Sequence, residues 1–166
     1  MTQFDVLLAA LVGQGVEFIV IGGVAASAHG SVRHTRDLDI VYARNPPNIA
    51  KLVAALAAHE PYLRGSAPGL PFRFDAPTIV AGLNFTLTTA LGEFDILGEV
   101  TGGGLYEDLL PQTLEVEAFG VRFRCVTLPK LIALKRAAGR PRDFDAIAEL
   151  EVLLEEQQRG ESKAND

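Results

Sequence analysis

Apolar and polar positions alternate with readable periods along most of the chain. Over residues 3–13, Phe4, Leu7, Leu8 and Leu11 fall on one helical face, and Gly13 and Gly15 end that helix. Residues 17–21 form a short β-branched apolar run, which predicts a buried strand. Gly22 and Gly23 follow and lead into the small residues 24–29, suited to a helix lying close on a sheet. Residues 30–36 read as a polar turn and 38–41 as a second strand, and Pro46-Pro47 opens a helix running to about residue 59.

The prolines and glycines between 61 and 77 predict a loop or irregular edge ribbon. Residues 79–90, with Leu83, Phe85 and Leu87 alternating, read as a strand, 93–97 as another, and 102–104 as a glycine loop. A hairpin is expected from 114–119 and 121–126 around Gly120. Thr127 then caps a helix with Pro129 in its first turn, reaching about Ala138; 139–142 break it, and a last helix covers about 143–158. The sum is an α/β (α+β) chain with a mixed β-sheet flanked by helices, one domain over residues 1–160 and a frayed C-terminal tail over 161–166.

Composition narrows the class. The 166 residues are 48% hydrophobic and 22% charged, which excludes disorder and coiled coil and allows a real core. No apolar stretch is long enough to span a bilayer, and the N-terminus, with Asp5 and no basic stretch, reads as a helix rather than a leader. Cys125 is the single cysteine, so there is no internal disulfide and no Cys-rich zinc site, and a cytoplasmic protein is expected. The net charge of −6 argues against general nucleic-acid binding. Its distribution is uneven: Arg122, Arg124, Lys130, Lys135, Arg136, Arg140 and Arg142 stand together without an acid among them, and acids dominate from Asp143 on. That block is either a solvated helix face with dipole-matched ends or the lining of a phosphate site.

The chemistry concentrates between Phe18 and Tyr42. A strand running through Gly22-Gly23 into a helix lets a ligand approach the backbone and offers free N–H groups to an anion, although plain tight packing uses the same turn. Asp37 and Asp39 lie two residues apart on the next strand, so both carboxylates point to one face. Like charges there repel, and a hard divalent cation is the usual answer to such a pair, a strand end facing water being the alternative. Asp95, between Phe94 and Ile96, repeats the apolar-acid-apolar pattern of Leu38-Asp39-Ile40, with Glu93 as a reserve candidate. Three carboxylates on adjacent strands can hold two magnesium ions, the arrangement that clamps the attacking and leaving oxygens of a phosphoryl or nucleotidyl transfer. His29, His34 and His59 share no ligand spacing, Cys125 reads as buried and inert, and 102–104 is either a plain turn or a flap.

These residues resemble the nucleotidyltransferase superfamily to which DNA polymerase β belongs, with its Gly-Gly or Gly-Ser turn, acid-x-acid pair and third acid on a later strand: here Gly22, Gly23, Asp37, Asp39 and Asp95. Ser27 or Ser31 is the available hydroxyl in place of the missing turn serine. The run Arg33-His34-Thr35-Arg36-Asp37-Leu38-Asp39, with Lys135 and Arg140-Pro141-Arg142-Asp143, is similar to the branch containing the bacterial AbiEii-type proteins, which serve in toxin–antitoxin and phage-defence pairs. The resemblance implies a single-domain nucleotidyltransferase fold and a Mg²⁺- (or Mn²⁺-) dependent transfer of NMP from an NTP to a hydroxyl or phosphate acceptor: tRNA, a protein or a small molecule. Asp37, Asp39 and Asp95 would be the catalytic and metal-holding residues, Gly22, Gly23, Arg33 and Lys135 would bind the nucleotide, and Asp143 would orient a basic neighbour or the acceptor. No membrane partner is implied, and the oligomeric state is left open. The rival reading is a catalytically idle nucleotide-binding module acting as antitoxin or regulator.

Overall fold

The computed structural model describes residues 1–165. Helix α1 (Phe4–Gly13) leads into strand β1 (Phe18–Ile21), helix α2 (Gly22–Ala28), strand β2 (Asp37–Tyr42) and helix α3 (Pro46–Leu56). Next come the two-residue strand β3 (Tyr62–Leu63), helix α4 (Ala76–Ala81) and strands β4 (Asn84–Thr89) and β5 (Gly92–Leu97). A small hairpin of β6 (Glu99–Val100) and β7 (Gly104–Leu105) precedes helix α5 (Tyr106–Leu109). Strands β8 (Thr113–Ala118) and β9 (Val121–Val126) and helices α6 (Leu128–Ala138) and α7 (Phe144–Asn165) complete the chain.

The main sheet has seven strands in the order β3-β4-β5-β2-β1-β9-β8. It is mixed: β2 runs parallel to β5 and β1 parallel to β9, and the remaining pairs are antiparallel. Because β1 is antiparallel to β2, the last residue of β1, Ile21, stands opposite Asp39 near the start of β2. The parallel neighbour β5 begins at the same end, opposing Asp37 to Glu93 and Asp39 to Asp95. One end of the three central strands thus collects the Gly22 turn and the acids.

Alternation does the sorting on β2 and β5. Leu38, Ile40, Phe94 and Ile96 are fully buried on one face, while Asp37, Asp39, Glu93 and Asp95 take the other. Burying each of those apolar side chains contributes about 1.5–3 kcal/mol, enough to hold the strands together against the repulsion behind them. Helix α1 packs on α3, and their Leu7, Leu8, Leu11, Ile49, Leu52 and Leu56 join the core. Helix α2 packs on β1, β2 and α6, with Val24, Ala25 and Ala26 buried, and α6 packs on α7. The buried amide of Asn48 ties the two chain ends around β1 and β2: its Nδ2 donates to the carbonyls of Glu17 and Ala43, and its Oδ1 accepts from the Glu17 N–H.

Two stretches differ from the sequence expectation. Residues 79–90 are not one strand, since Asp75 caps α4 by accepting from the Thr78 N–H, with Pro77 in the first turn, and β-branched Thr78, Ile79 and Val80 are helical. The cap outweighs their strand preference, and β4 starts only at Asn84. The irregular edge ribbon allowed for 61–77 is present at its start, where Tyr62 and Leu63 pair with Thr88 and Leu87 at the sheet edge. Residues 101–103 are the turn of the β6–β7 hairpin, Gly104 already belongs to β7, and the turn sits against α6: Lys130 Nζ donates to the Gly102 carbonyl at 2.9 Å, and a Cβ at Gly102 would come within 2.6 Å of the Ala137 Cβ. Helix α7 continues beyond Gln158 to Asn165, so residues 161–165 of the expected tail are helical, and Asp166 lies outside the described residues. No helix among the described residues is long and apolar enough to cross a membrane.

Candidate active site

Asp37, Asp39 and Asp95 each present a carboxylate oxygen to a common point, all three within 4.8 Å of one another. The register explains it: Asp39 and Asp95 are direct partners on parallel strands, and Asp37 lies one pleat earlier on the same face. Crowding and burial raise the Asp39 carboxyl from 3.8 to about 8, burial first, then the charge of Asp95, a hydrogen bond shared with it, and Asp37. Glu93, the reserve candidate, lies opposite Asp37, and their shared hydrogen bond raises its pKa.

Gly22 has to be glycine. Its φ is +66°, and a Cβ there would meet Asp39 Oδ2 at 2.2 Å. Gly23 is equally closed, since a Cβ would fall 2.3 Å from Thr35 Oγ1. The Gly-Gly turn lets the helix start press directly on the acid pair and its preceding loop.

A cavity of about 970 Å³ opens over these residues, lined among others by Gly22, Gly23, Arg33, Asp37, Asp39, Asp95 and Lys135. Those seven candidates border one cavity. The lining carries both signs: the aspartates of β2 and β5 with Arg64 beside them, and Lys135, Arg140 and Arg142 from α6 and the turn after it. Asp143, 6% exposed, accepts from Arg140 Nε at 2.8 Å and lies 4.0 Å from Lys135 Nζ, holding both cations at the cavity. Arg33 is in the lining with its guanidinium on Glu149 of α7. Of the two serines, Ser31 is in the lining, whereas the Ser27 hydroxyl donates to the Gly23 carbonyl.

Arg64 was not legible beforehand. It directly follows β3, donates its N–H to the Thr86 carbonyl, and reaches across β4 to the acids. Its Nη2 lies 2.8 Å from Asp95 Oδ1 and its Nη1 3.6 Å from Asp37 Oδ2. The Nη2 hydrogen bond is aimed at the Leu87 carbonyl, at 2.6 Å, so the contact with Asp95 is an ion pair without hydrogen-bond alignment. Asp95 Oδ1 is consequently buried with no hydrogen bond, as is Arg64 Nε. A two-residue strand inside a proline-rich stretch has no periodicity to announce it.

Three carboxylates converging within 4.8 Å, one with an orphaned buried oxygen, are a donor set that fits a hard divalent cation.

The profile of the family described as "Nucleotidyl transferase of unknown function (DUF2204)" matches residues 1–163. No curated protein matches the chain. Among solved structures, a candidate nucleotidyltransferase from Thermotoga maritima is similar at 13% identity and TM-score 0.48, over 92% of this chain and 89% of that one.

Proposed function

The chain belongs to this family of nucleotidyl transferases of unknown function, and from that premise we propose that it is a divalent-metal-dependent enzyme moving NMP from an NTP to an acceptor. The observation that carries the reading is the set of three converging carboxylates sharing one cavity with Lys135, Arg140 and Arg142. Asp37, Asp39 and Asp95 hold the metal, Mg²⁺ or Mn²⁺. When bound, the metal neutralises the carboxylates and polarises the phosphate oxygens. Lys135 and Arg140, presented by Asp143, bind the triphosphate together with Arg33 and the Gly22–Gly23 backbone. The acceptor oxygen attacks the α-phosphorus, the bond from that phosphorus to the β-bridging oxygen breaks, and pyrophosphate leaves. Asp95, on the β4 side of the cavity, orients the acceptor hydroxyl and takes part in removing its proton.

The acceptor in this reading is a hydroxyl or phosphate on RNA, protein or a small molecule. The likeness of Arg33–Asp39 and of Lys135 and Asp143 to the AbiEii-type motifs suggests a toxin–antitoxin or defence setting. The test is pyrophosphate release from each NTP with Mg²⁺ and either total tRNA, a protein extract or a metabolite pool. Release that disappears in Asp37→Asn/Asp39→Asn supports the transferase. Tight NTP binding without pyrophosphate for any acceptor would replace it with the idle nucleotide-binding module.

A further inference from the structure

Arg64 stands where the proposed metal site needs its ligands free. Its guanidinium spans Asp37 and Asp95, at 3.6 and 2.8 Å, and the third ligand, Asp39, lies within the same 4.8 Å cluster. The side chain is 23% exposed, so its charge is only partly screened by water. We propose that Arg64 is the displaceable counter-ion of the metal site: it neutralises Asp37 and Asp95 when no metal is bound, and a divalent cation must compete with it for both carboxylates. This rests on the metal-dependent reading above.

The local structure suits a residue that lets go. The backbone is fixed, since Arg64 N–H bonds Thr86 and Leu63 pairs with Leu87, so release needs only a side-chain rotation. The grip on the acids is imperfect. Neither contact with Asp37 or Asp95 is an aligned hydrogen bond, Nε has no partner, and Asp95 Oδ1 is unsatisfied despite the cation beside it. A bidentate arginine fork, which would be hard to displace, is absent. The one good bond, Nη2 to the Leu87 carbonyl, lies off the acids and can keep the head group nearby after it yields them. A cation that only stabilised the fold would be expected to satisfy the oxygens it touches.

The experiment is Mn²⁺ binding by calorimetry at pH 8.5, where protons compete little for Asp39, on the wild type, Arg64→Met and Arg64→Lys. Removing the competitor should tighten Mn²⁺ binding at least fivefold in Arg64→Met. Arg64→Lys, which keeps the charge but cannot span both acids, should fall between. In the wild type, the Arg64 Nε–H resonance should shift as Mg²⁺ is titrated, a readout that stands even if Arg64→Met does not fold. Equal or weaker Mn²⁺ binding in a folded Arg64→Met, or an Nε–H signal unmoved at saturating Mg²⁺, overturns the proposal. Failure of every protein to bind Mn²⁺ overturns the metal-dependent reading itself; binding by Arg64→Met alone would be the strongest support for competition.

Discussion

Replacing Asp39 by asparagine should make the metal-free protein more stable, and increasingly so as the pH rises. Asp39 has a carboxyl raised from 3.8 to about 8 by burial and by Asp95 and Asp37. In the unfolded chain it ionises near its ordinary value, whereas in the folded state it keeps its proton. Between those values the folded state binds more protons than the unfolded, so the wild type loses stability as pH climbs from about 4 to about 8 and levels off beyond. At about 1.4 kcal/mol per pH unit, the deficit at pH 7 has a ceiling of about 4 kcal/mol. Movement of Arg64 and entry of water reduce it. The substituted amide keeps the shape and does not titrate, so the gap between variant and wild type isolates this one group from the others that titrate in the range.

The assay is thermal or urea unfolding of both proteins from pH 5 to pH 8 in chelator, then in Mg²⁺. The stability gap should widen by at least about 1 kcal/mol over that range, or roughly 2–4 °C in Tm for a domain of this size. Saturating Mg²⁺ binds the native ionised acids and should raise the wild-type Tm at pH 8 while moving Asp39→Asn far less. A gap that is constant with pH, or that narrows, refutes the reasoning: Asp39 would then be ionised in the folded protein and the cluster far better solvated than its packing implies.

Gly22→Ala should lower Tm by several degrees and shrink the Mg²⁺-induced shift, because a left-handed backbone costs an alanine about 1–2 kcal/mol and its Cβ drives into Asp39 Oδ2. Asp95→Asn should leave NTP affinity within a few-fold and cut pyrophosphate release by on the order of 10² or more, measured by calorimetry and turnover respectively. Lys135→Ala should show the opposite emphasis, weakening NTP binding by about 1.5–3 kcal/mol, the range for a hydrogen bond to a charged group.

The parts of the site carried by strong local signals were readable in the sequence. Asp39 and Asp95 each interrupt an apolar run, and that interruption marks an acid on a half-buried strand whatever the topology. Helix punctuation located α6, which Thr127 caps and Gly139, in the left-handed region, ends, whereas Lys135 and Asp143 were singled out only by the family resemblance. That the acids stand on adjacent strands was expected, but direction and register were not readable. That β2 and β5 run parallel, with Asp39 opposite Asp95, is a long-range choice that neither strand encodes alone. Arg64 was hidden for the same reason, since β3 exists only because β4 offers an edge to Tyr62 and Leu63. The error at 79–90 was local, because β-branched residues after an Asp75 cap look like a strand until the cap is weighed.

The shape of the charge distribution bears on the choice between an enzyme and a module that merely docks a protein. A docking surface presents its charge outward over a broad area, with pairs that add little unless desolvated. Here the aspartates line a concave cavity together with the cations Lys135, Arg140 and Arg142. A cavity of about 970 Å³ is at the upper end of the small-molecule range, and a lining of both signs suits a ligand that is itself bipolar. A divalent cation against the aspartates, carrying a polyphosphate toward the lysine and arginines, would satisfy both signs at once; a polypeptide side chain satisfies one. The acids are also held at a loss: Asp39 and Glu93 are both pushed toward their protonated forms by their neighbours, and among the described residues only Arg64 pairs with Asp37 and Asp95 to compensate them. Asparagines would repel less, so carboxylates kept at these positions favour the proposed metal–nucleotide reading over the docking module.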